Sequence, residues 1–409
     1  MHRVVVTGVG GLTALGHDWP SIRSELKAGR TGIRYMPEWE EFKDLNTKLA
    51  GPVKAFDRPS GYGRKQTRSM GPVALMATIA ADKALQDAGL REDPILTSGR
   101  AGVASGSSSG SIGATEAFAR YLQTGKISGV TSNSYVQMMG HTAPVNIALF
   151  FRMTGRIIPT SSACTSGSHG VGYAMEAIRH GKQDMMIGGG AEELSSADAA
   201  VFDTLFATST RNDAPETTPA PYDRDRDGLV VGEGAVNLVL ESLEHAQARG
   251  ANILAEVVGY GTNSDGTHIT QPNAETMAVA MRLALEDADL HPDRVGYVSG
   301  HGTATDRGDI AETEATREIF GRAVPISSMK SYFGHTLGAC GSLEAWLAIE
   351  MMREGWFAPT VNLHNVDERC ADLDYITGDG REIDTEYVMS NNFAFGGINT
   401  SLIFRRWDG

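Results

Sequence analysis

Four side chains with chemical reach stand on turns that close apolar, strand-like runs: Cys164, His301, Lys330 and His335. Cys164 lies in Pro159-Thr-Ser-Ser-Ala-Cys164-Thr-Ser-Gly-Ser, between Ile157-Ile158 and a helix-forming run from Tyr173. That order puts the thiol at a strand-to-helix turn, beside a helix N-terminus. Unpaired amides there favour an anion, which lowers a thiol pKa and can hold an oxyanion. The small neighbours Ala163, Ser166 and Gly167 leave room for a substrate. Taken alone, the stretch reads equally as a buried, inert cysteine. His301 sits in Gly-His301-Gly-Thr303-Ala-Thr305, after the apolar run 295–299, and His335 follows Lys330 by five residues. A glycine-rich turn, Phe393-Ala-Phe395-Gly-Gly, precedes the last strand-like run. A lone His is more often structural, and a lone Lys is nearly always on the surface. One thiol, two imidazoles and one ammonium on matching strand ends form a candidate catalytic set, because parallel sheets gather their sites at the carboxyl ends of strands.

The elements that must position these groups occur twice. Ala255-Glu-Val-Val-Gly-Tyr-Gly echoes the opening Val4-Val-Val-Thr-Gly-Val-Gly. The helical run from Met277 echoes the run from Met76, within a helix expected over 72–90 that Pro72 opens and Gly89 ends. Val295-Gly-Tyr-Val-Ser echoes Ala101-Gly-Val-Ala-Ser, and Val324-Pro-Ile-Ser-Ser-Met-Lys330 echoes Ile158-Pro-Thr-Ser-Ser-Ala-Cys164. Two copies make a pseudo-twofold pair of α/β halves, 1–250 and 251–409, each alternating strands and helices around a mostly parallel sheet. The echo sets Lys330 at the position equivalent to Cys164, so the two turns are expected to meet near the pseudo-axis.

Bulk properties narrow the function. The net charge of -14 opposes nucleic-acid binding. The three cysteines, Cys164, Cys340 and Cys370, have no zinc-site spacing and cannot build a disulfide framework. They suit a reducing, cytoplasmic compartment, and Cys340 and Cys370 read as structural. No apolar run approaches a membrane span, and the N-terminal run is too short for a signal peptide. The first glycine turn does not fit a dinucleotide fingerprint. The stretch 212–227, with alternating Asp and Arg, reads as a solvated surface loop. Arg64, Lys65 and Arg68 form a small basic cluster, either a dock for an acidic partner or a solvated helix start.

Thr160-Ser-Ser-Ala-Cys164-Thr-Ser-Gly, Gly300-His301-Gly-Thr-Ala-Thr305, Ser328-Met-Lys330-Ser-Tyr-Phe-Gly-His335 and Asn392-Phe-Ala-Phe395-Gly-Gly-Ile-Asn399 together resemble the elongating, Cys-His-His β-ketoacyl-acyl-carrier-protein synthases. The resemblance covers essentially the whole chain. It implies the thiolase fold, two like halves in a five-layered α/β/α/β/α core, and an acyltransferase acting by decarboxylative Claisen condensation. It implies Cys164 as the acyl-accepting nucleophile, and His301 and His335 as promoters of malonyl decarboxylation. The amides of Cys164 and Phe395 would form the oxyanion hole, with Phe395 as the gate. Lys330 would be the active-site lysine and Glu344 the acid that holds it. Thr303 and Thr305 would contact phosphopantetheine, which arrives on the carrier protein rather than as a resident cofactor. No metal is implied beyond a monovalent cation behind Glu344. Arg64, Lys65 and Arg68 would dock the acyl carrier protein, and a homodimer is implied. The Asp/Arg loop before Gly228 resembles a second family loop near the gate.

The chain departs from housekeeping members in polar residues around the implied acyl pocket: Ser107, Ser108, Ser109, Gln137 and His141. Ser-Ser-Ala-Cys164-Thr-Ser-Gly-Ser-His, Thr305-Asp-Arg-Gly-Asp and Asn392-Phe-Ala-Phe395 also resemble the ketosynthases of aryl polyene clusters. An aryl or polyene chain is therefore an alternative substrate to a saturated acyl chain. A degradative thiolase would need a second catalytic Cys near the C-terminus, and an initiating synthase would carry Asn where His335 stands. A chain-length-factor-like partner in a heterodimer would lack Cys164.

Overall fold

The computed structural model describes all residues, 1–409. Eleven strands form one sheet. They are β1 Val4–Leu12, β2 Ala101–Gly106, β3 Ile157–Pro159, β4 Met185–Glu192, β5 Gly234–Ser242, β6 Ala255–Ser264, β7 Val295–Ser299, β8 Pro325–Ser327, β9 Asp374–Tyr375, β10 Tyr387–Ala394 and β11 Ile398–Arg406. Their order is β9-β8-β7-β10-β11-β6-β1-β5-β4-β2-β3. The two halves meet where β1 pairs antiparallel with β6, Val4 opposite Val257. Outward from that seam the pairings repeat. β1 with β5 and β5 with β4 are antiparallel, as are β6 with β11 and β11 with β10. β4 with β2 and β2 with β3 are parallel, as are β10 with β7 and β7 with β8. Each half is thus mostly parallel in direction, with one reversed strand, β5 or β11, that makes the sheet mixed.

Six helices build the layers: α1 Pro72–Asp87, α2 Thr142–Phe151, α3 Ser166–Arg179, α4 Ala274–Asp287, α5 Asp306–Phe320 and α6 Cys340–Glu354. α1 begins at Pro72, whose missing N–H costs nothing in a first turn, and the chain turns away at Gly89, φ +69°. Strand side chains alternate between two cores, as a period of two requires. Met185 and Ile187 of β4 join the cluster under α1 and α2, while Met186 joins the central cluster with α3 and α6. In the second half, Val388 and Leu402 face the centre, and Met389 and Ile403 face α4 and α5. The layers are outer helices, one half of the sheet, the α3/α6 pair, the other half of the sheet and outer helices.

The central pair brings the two halves of the site together. α3 and α6 start side by side because glycines stand at the crossing: a Cβ on Gly167 would sit 2.7 Å from the Ser342 amide nitrogen. Cys164 leads into α3, and Cys340 opens α6. The turn before the last strand is shorter than the sequence suggested. β10 continues through Phe393 to Ala394, and Gly396 and Gly397, at φ +91° and +68°, make a tight hairpin into β11. The strand β10 itself was not anticipated.

Candidate active site

The nucleophile loop is held in an uncommon backbone. Ala163, just before Cys164, has φ +53°, a left-handed conformation that costs a non-glycine residue of the order of 1 kcal/mol or more. Ser166 Oγ donates to the Ala163 carbonyl (2.7 Å) and accepts from the Ser162 amide (2.9 Å), locking the turn. Cys164 is buried, with Sγ 3.0 Å from His335 Nε2. The amides of Phe395 and of Cys164 itself favour the thiolate. A turn beside a helix N-terminus is expected to lower a thiol pKa. Here burial outweighs the pull of Lys330 and these amides, and pushes the thiol up to about 11. Burial thus favours the neutral thiol of Cys164 over the thiolate.

Hydrogen bonds assign the protons of both imidazoles. The Leu337 amide donates to His335 Nδ1 (3.3 Å), so Nδ1 is an acceptor and the neutral ring carries its hydrogen on Nε2, toward the sulfur. His301 Nδ1 accepts from the Lys330 ammonium (3.2 Å) and faces the Asn392 amide group (3.4 Å), which again leaves the hydrogen on Nε2. Burial holds both imidazoles well below their ordinary pKa, and the Lys330 charge lowers them further. The rings stand edge to face, with centroids 5.2 Å apart. A sulfur and two ring nitrogens lie within 4.8 Å of one another, spacing that a metal could bridge. A metal needs Nε2 lone pairs, however, and those positions carry hydrogens.

Lys330 is buried and forms an ion pair with Glu344, whose second oxygen accepts from Asn392 Nδ2 (2.6 Å). Burial alone would lower the ammonium, but Glu344 holds it above its ordinary value. The residue equivalent to Cys164 by internal repeat therefore acts on the site through His301. Two further carboxylates hold backbone. Glu312 accepts from the amides of His301 and Gly302, and Glu192 accepts from those of Ser108 and Gly338.

A cavity of about 620 Å³ opens from the thiol. Cys164, His301, His335, Thr303, Thr305 and Phe395 all line it. Thr303 and Thr305 share a hydrogen bond of 2.9 Å between their hydroxyls, and the Phe395 ring packs on Phe202 at 5.2 Å. Arg64, Lys65 and Arg68 are exposed on and just after the short helix Arg64–Thr67. Ser109 and Gln137 are not on the cavity wall. They lie behind the nucleophile loop, where Ser111 N donates to Gln137 O (2.7 Å) and Ser161 Oγ to Gly140 O (2.9 Å). Cys340, expected to be only structural, places its thiol on the Cys164 carbonyl at 3.2 Å.

The alternating Asp/Arg stretch is solvated only in part, at Arg224 and Asp225. Asp223 is buried, and the Arg226 side chain is 1% exposed and binds Asp367 (2.6 Å) and Asp309 (3.5 Å). It also donates to the carbonyls of Thr305 (3.3 Å) and Asp306 (2.9 Å), at the cavity wall. Alternating charges read as solvated only when their partners are local, and these partners lie far along the chain. Arg226→Ala removes the cation shared by Asp309 and Asp367, so that Asp309, pushed up to about 6 by burial even with Arg226 present, must take up a proton or remain charged without a cation in the interior. A loss of about 3–5 kcal/mol is expected, read as a lower midpoint in urea unfolding at pH 7.

Residues 1–246 match the β-ketoacyl synthase N-terminal domain, and residues 254–364 match the C-terminal domain of the same family. The chain is 37% identical to a 3-oxoacyl-(acyl-carrier-protein) synthase 1 of Haemophilus influenzae, across 100% of both chains. It is 61% identical to a β-ketoacyl synthase from Burkholderia phymatum, whose crystal structure superposes with a TM-score of 0.99 over 100% of both chains. The ishigamide ketosynthase/chain length factor superposes at 0.89, with 31% identity over 99% of each chain.

Proposed function

The chain belongs to the β-ketoacyl synthase family, and on that premise we infer that it is a 3-oxoacyl-acyl-carrier-protein synthase, an acyltransferase that elongates fatty acyl chains. The observation that carries this reading is the thiol of Cys164 set 3.0 Å from one of two neutral imidazole donors, at the inner end of a cavity. Cys164 Sγ attacks the thioester carbonyl of the incoming chain, and the amides of Phe395 and Cys164 hold the oxyanion. The carbon–sulfur bond to the carrier breaks, and the carrier thiol leaves with the proton given up by Cys164. Malonyl-carrier protein then enters and loses carbon dioxide. The bonding pair becomes an enolate, whose oxygen accepts from the Nε2–H groups of His301 and His335. The enolate carbon attacks the acyl carbonyl on Cys164 and expels the thiolate. One proton from water restores the thiol. Two neutral donors suit this step, because they stabilise the developing charge without a fixed buried cation of their own. Lys330 keeps His301 in the donor tautomer.

The scheme uses no resident cofactor; Thr303 and Thr305 contact the phosphopantetheine arm of the carrier. Arg64, Lys65 and Arg68 dock the acidic carrier protein, a local exception to the net charge of -14. Reversing these three charges to Glu should raise KM for carrier-bound substrates about tenfold or more at low salt. It should leave turnover of small pantetheine thioesters unchanged, which steady-state kinetics with both donors would read. A homodimer fits the unpaired outer side of β3 and the exposed Ile157 and Leu149 beside it. No helix is long and apolar enough to cross a membrane.

A second reading of the substrate, an aryl or polyene chain, is carried by the motif resemblance of Ser168-His169 and Thr305-Asp-Arg-Gly-Asp309 rather than by the polar stretch Ser107–Ser109, which lies off the cavity wall. Glu192 fixes that stretch behind the nucleophile through the Ser108 amide (2.7 Å). Mass analysis of products from saturated, aryl and polyene acyl-carrier donors with malonyl-carrier protein tests both. A two-carbon-longer 3-oxo product from saturated donors supports fatty-acyl elongation, product from aryl or polyene donors alone supports the second reading, and no product from any donor contradicts the reaction.

A further inference from the structure

Glu192 is the last residue of β4 and is buried. One carboxyl oxygen, Oε2, accepts from the Ser108 amide (2.7 Å) and from the Gly338 amide (2.9 Å). Gly338 follows Leu337, whose φ is +45°. That left-handed conformation is costly for a residue with a branched side chain, and persists only where its surroundings impose it. Two features impose it. The Leu337 side chain is buried with Phe202, Leu229 and Val231, and the peptide that follows Leu337 is tied to Glu192. The Leu337 amide in turn donates to His335 Nδ1. The other histidine is held in a related way, with Glu312 on the amides of His301 and Gly302.

We propose that Glu192 is a positioning residue for His335: by holding the Gly338 amide it keeps Leu337 in the turn that aims its N–H at Nδ1, and so fixes Nε2 as the nitrogen that presents hydrogen to Cys164 and to the enolate. The inference rests on the role given to His335 above. Burial pushes the Glu192 carboxyl up to about 8, so near neutral pH the group accepts mainly as a neutral acid. A carboxamide of the same length can replace it, whereas a shorter side chain cannot reach.

Three variants separate reach from charge. Glu192→Gln should condense within about threefold of wild type, because its carbonyl still accepts both amides. Glu192→Ala and Glu192→Asp should each lose at least about tenfold in condensation, as expected when an imidazole tautomer is no longer fixed. The aspartate retains the acid group, so the comparison survives if the alanine variant fails to fold. Nitrogen-15 spectra of the histidine rings supply a readout that general destabilisation does not move. Wild type and Glu192→Gln should show His335 with hydrogen on Nε2 alone, and Glu192→Asp a mixture of tautomers. An unchanged His335 spectrum in Glu192→Asp, or Glu192→Gln as impaired as Glu192→Asp, overturns the proposal. His335→Ala is measured alongside. If it condenses at the wild-type rate, the role of His335 itself fails, and the inference falls with it.

Discussion

Cys164→Ala is expected to lower acyl transfer by at least about 10⁴-fold, roughly 5.5 kcal/mol of transition-state stabilisation. Nothing beside it can replace the sulfur. Cys340 is the nearest other thiol, but it donates to the Cys164 carbonyl, and burial raises its pKa well above the ordinary value. Its sulfur therefore stays protonated and directed at backbone. The donors for decarboxylation remain in place in the variant, since Leu337 still fixes His335 and Lys330 still fixes His301. Carbon dioxide release from malonyl-carrier protein is therefore expected to persist after acyl transfer has gone. Measuring both rates on one preparation checks this, and parallel loss of the two would mean that the substitution had disturbed the histidines.

His301→Ala and His335→Ala are expected to give the opposite split. Each removes one N–H donor from the enolate, and a preorganised donor of this kind is worth about 10²–10³-fold. Decarboxylation and condensation should fall by that factor, while Cys164 still accepts an acyl group. The two variants should differ in stability. His301→Ala leaves the Lys330 ammonium with Glu344 as its remaining close partner. His335→Ala leaves the buried Leu337 amide without its acceptor, a cost of about 1–3 kcal/mol. Acyl loading by intact mass, decarboxylation by carbon dioxide release and urea unfolding separate these effects. If either variant decarboxylated malonyl-carrier protein at the wild-type rate, that imidazole would not be an enolate donor.

The duplicated architecture was legible because each half repeats the same succession of strand, helix and turn, and the repeat placed Cys164 and Lys330 on equivalent turns. The grouping of Cys164, His301, Lys330 and His335 followed from their positions at strand ends. What the sequence hid depends on contacts between distant segments. Glu192 ends an apolar strand two residues after three glycines, and Glu312 lies in the middle of a charged helix; neither spacing signals that its carboxyl group holds the backbone of a histidine loop. Asn392 was visible inside a motif, but its bond to Glu344 was not. Arg226 looked solvated because its partners, Asp309 and Asp367, are remote in the chain. The thiol pKa was misjudged for a related reason: a turn beside a helix N-terminus can be read from sequence, but the burial that outweighs it cannot. The reversed direction of β5 and β11 also escaped notice, since an apolar run carries no sign of its direction in the sheet.

The central claim is that one sulfur carries the chain between two chemical steps. Intact-protein and peptide mass spectrometry in a single turnover tests it most directly. Wild type is loaded from an acyl-carrier donor, excess donor is removed, and malonyl-carrier protein is added. One acyl mass is expected on the peptide containing Cys164, disappearing as an equal amount of 3-oxoacyl-carrier product and carbon dioxide forms. An acyl group on any other residue, or product formed by Cys164→Ala at the wild-type rate, would contradict the claim.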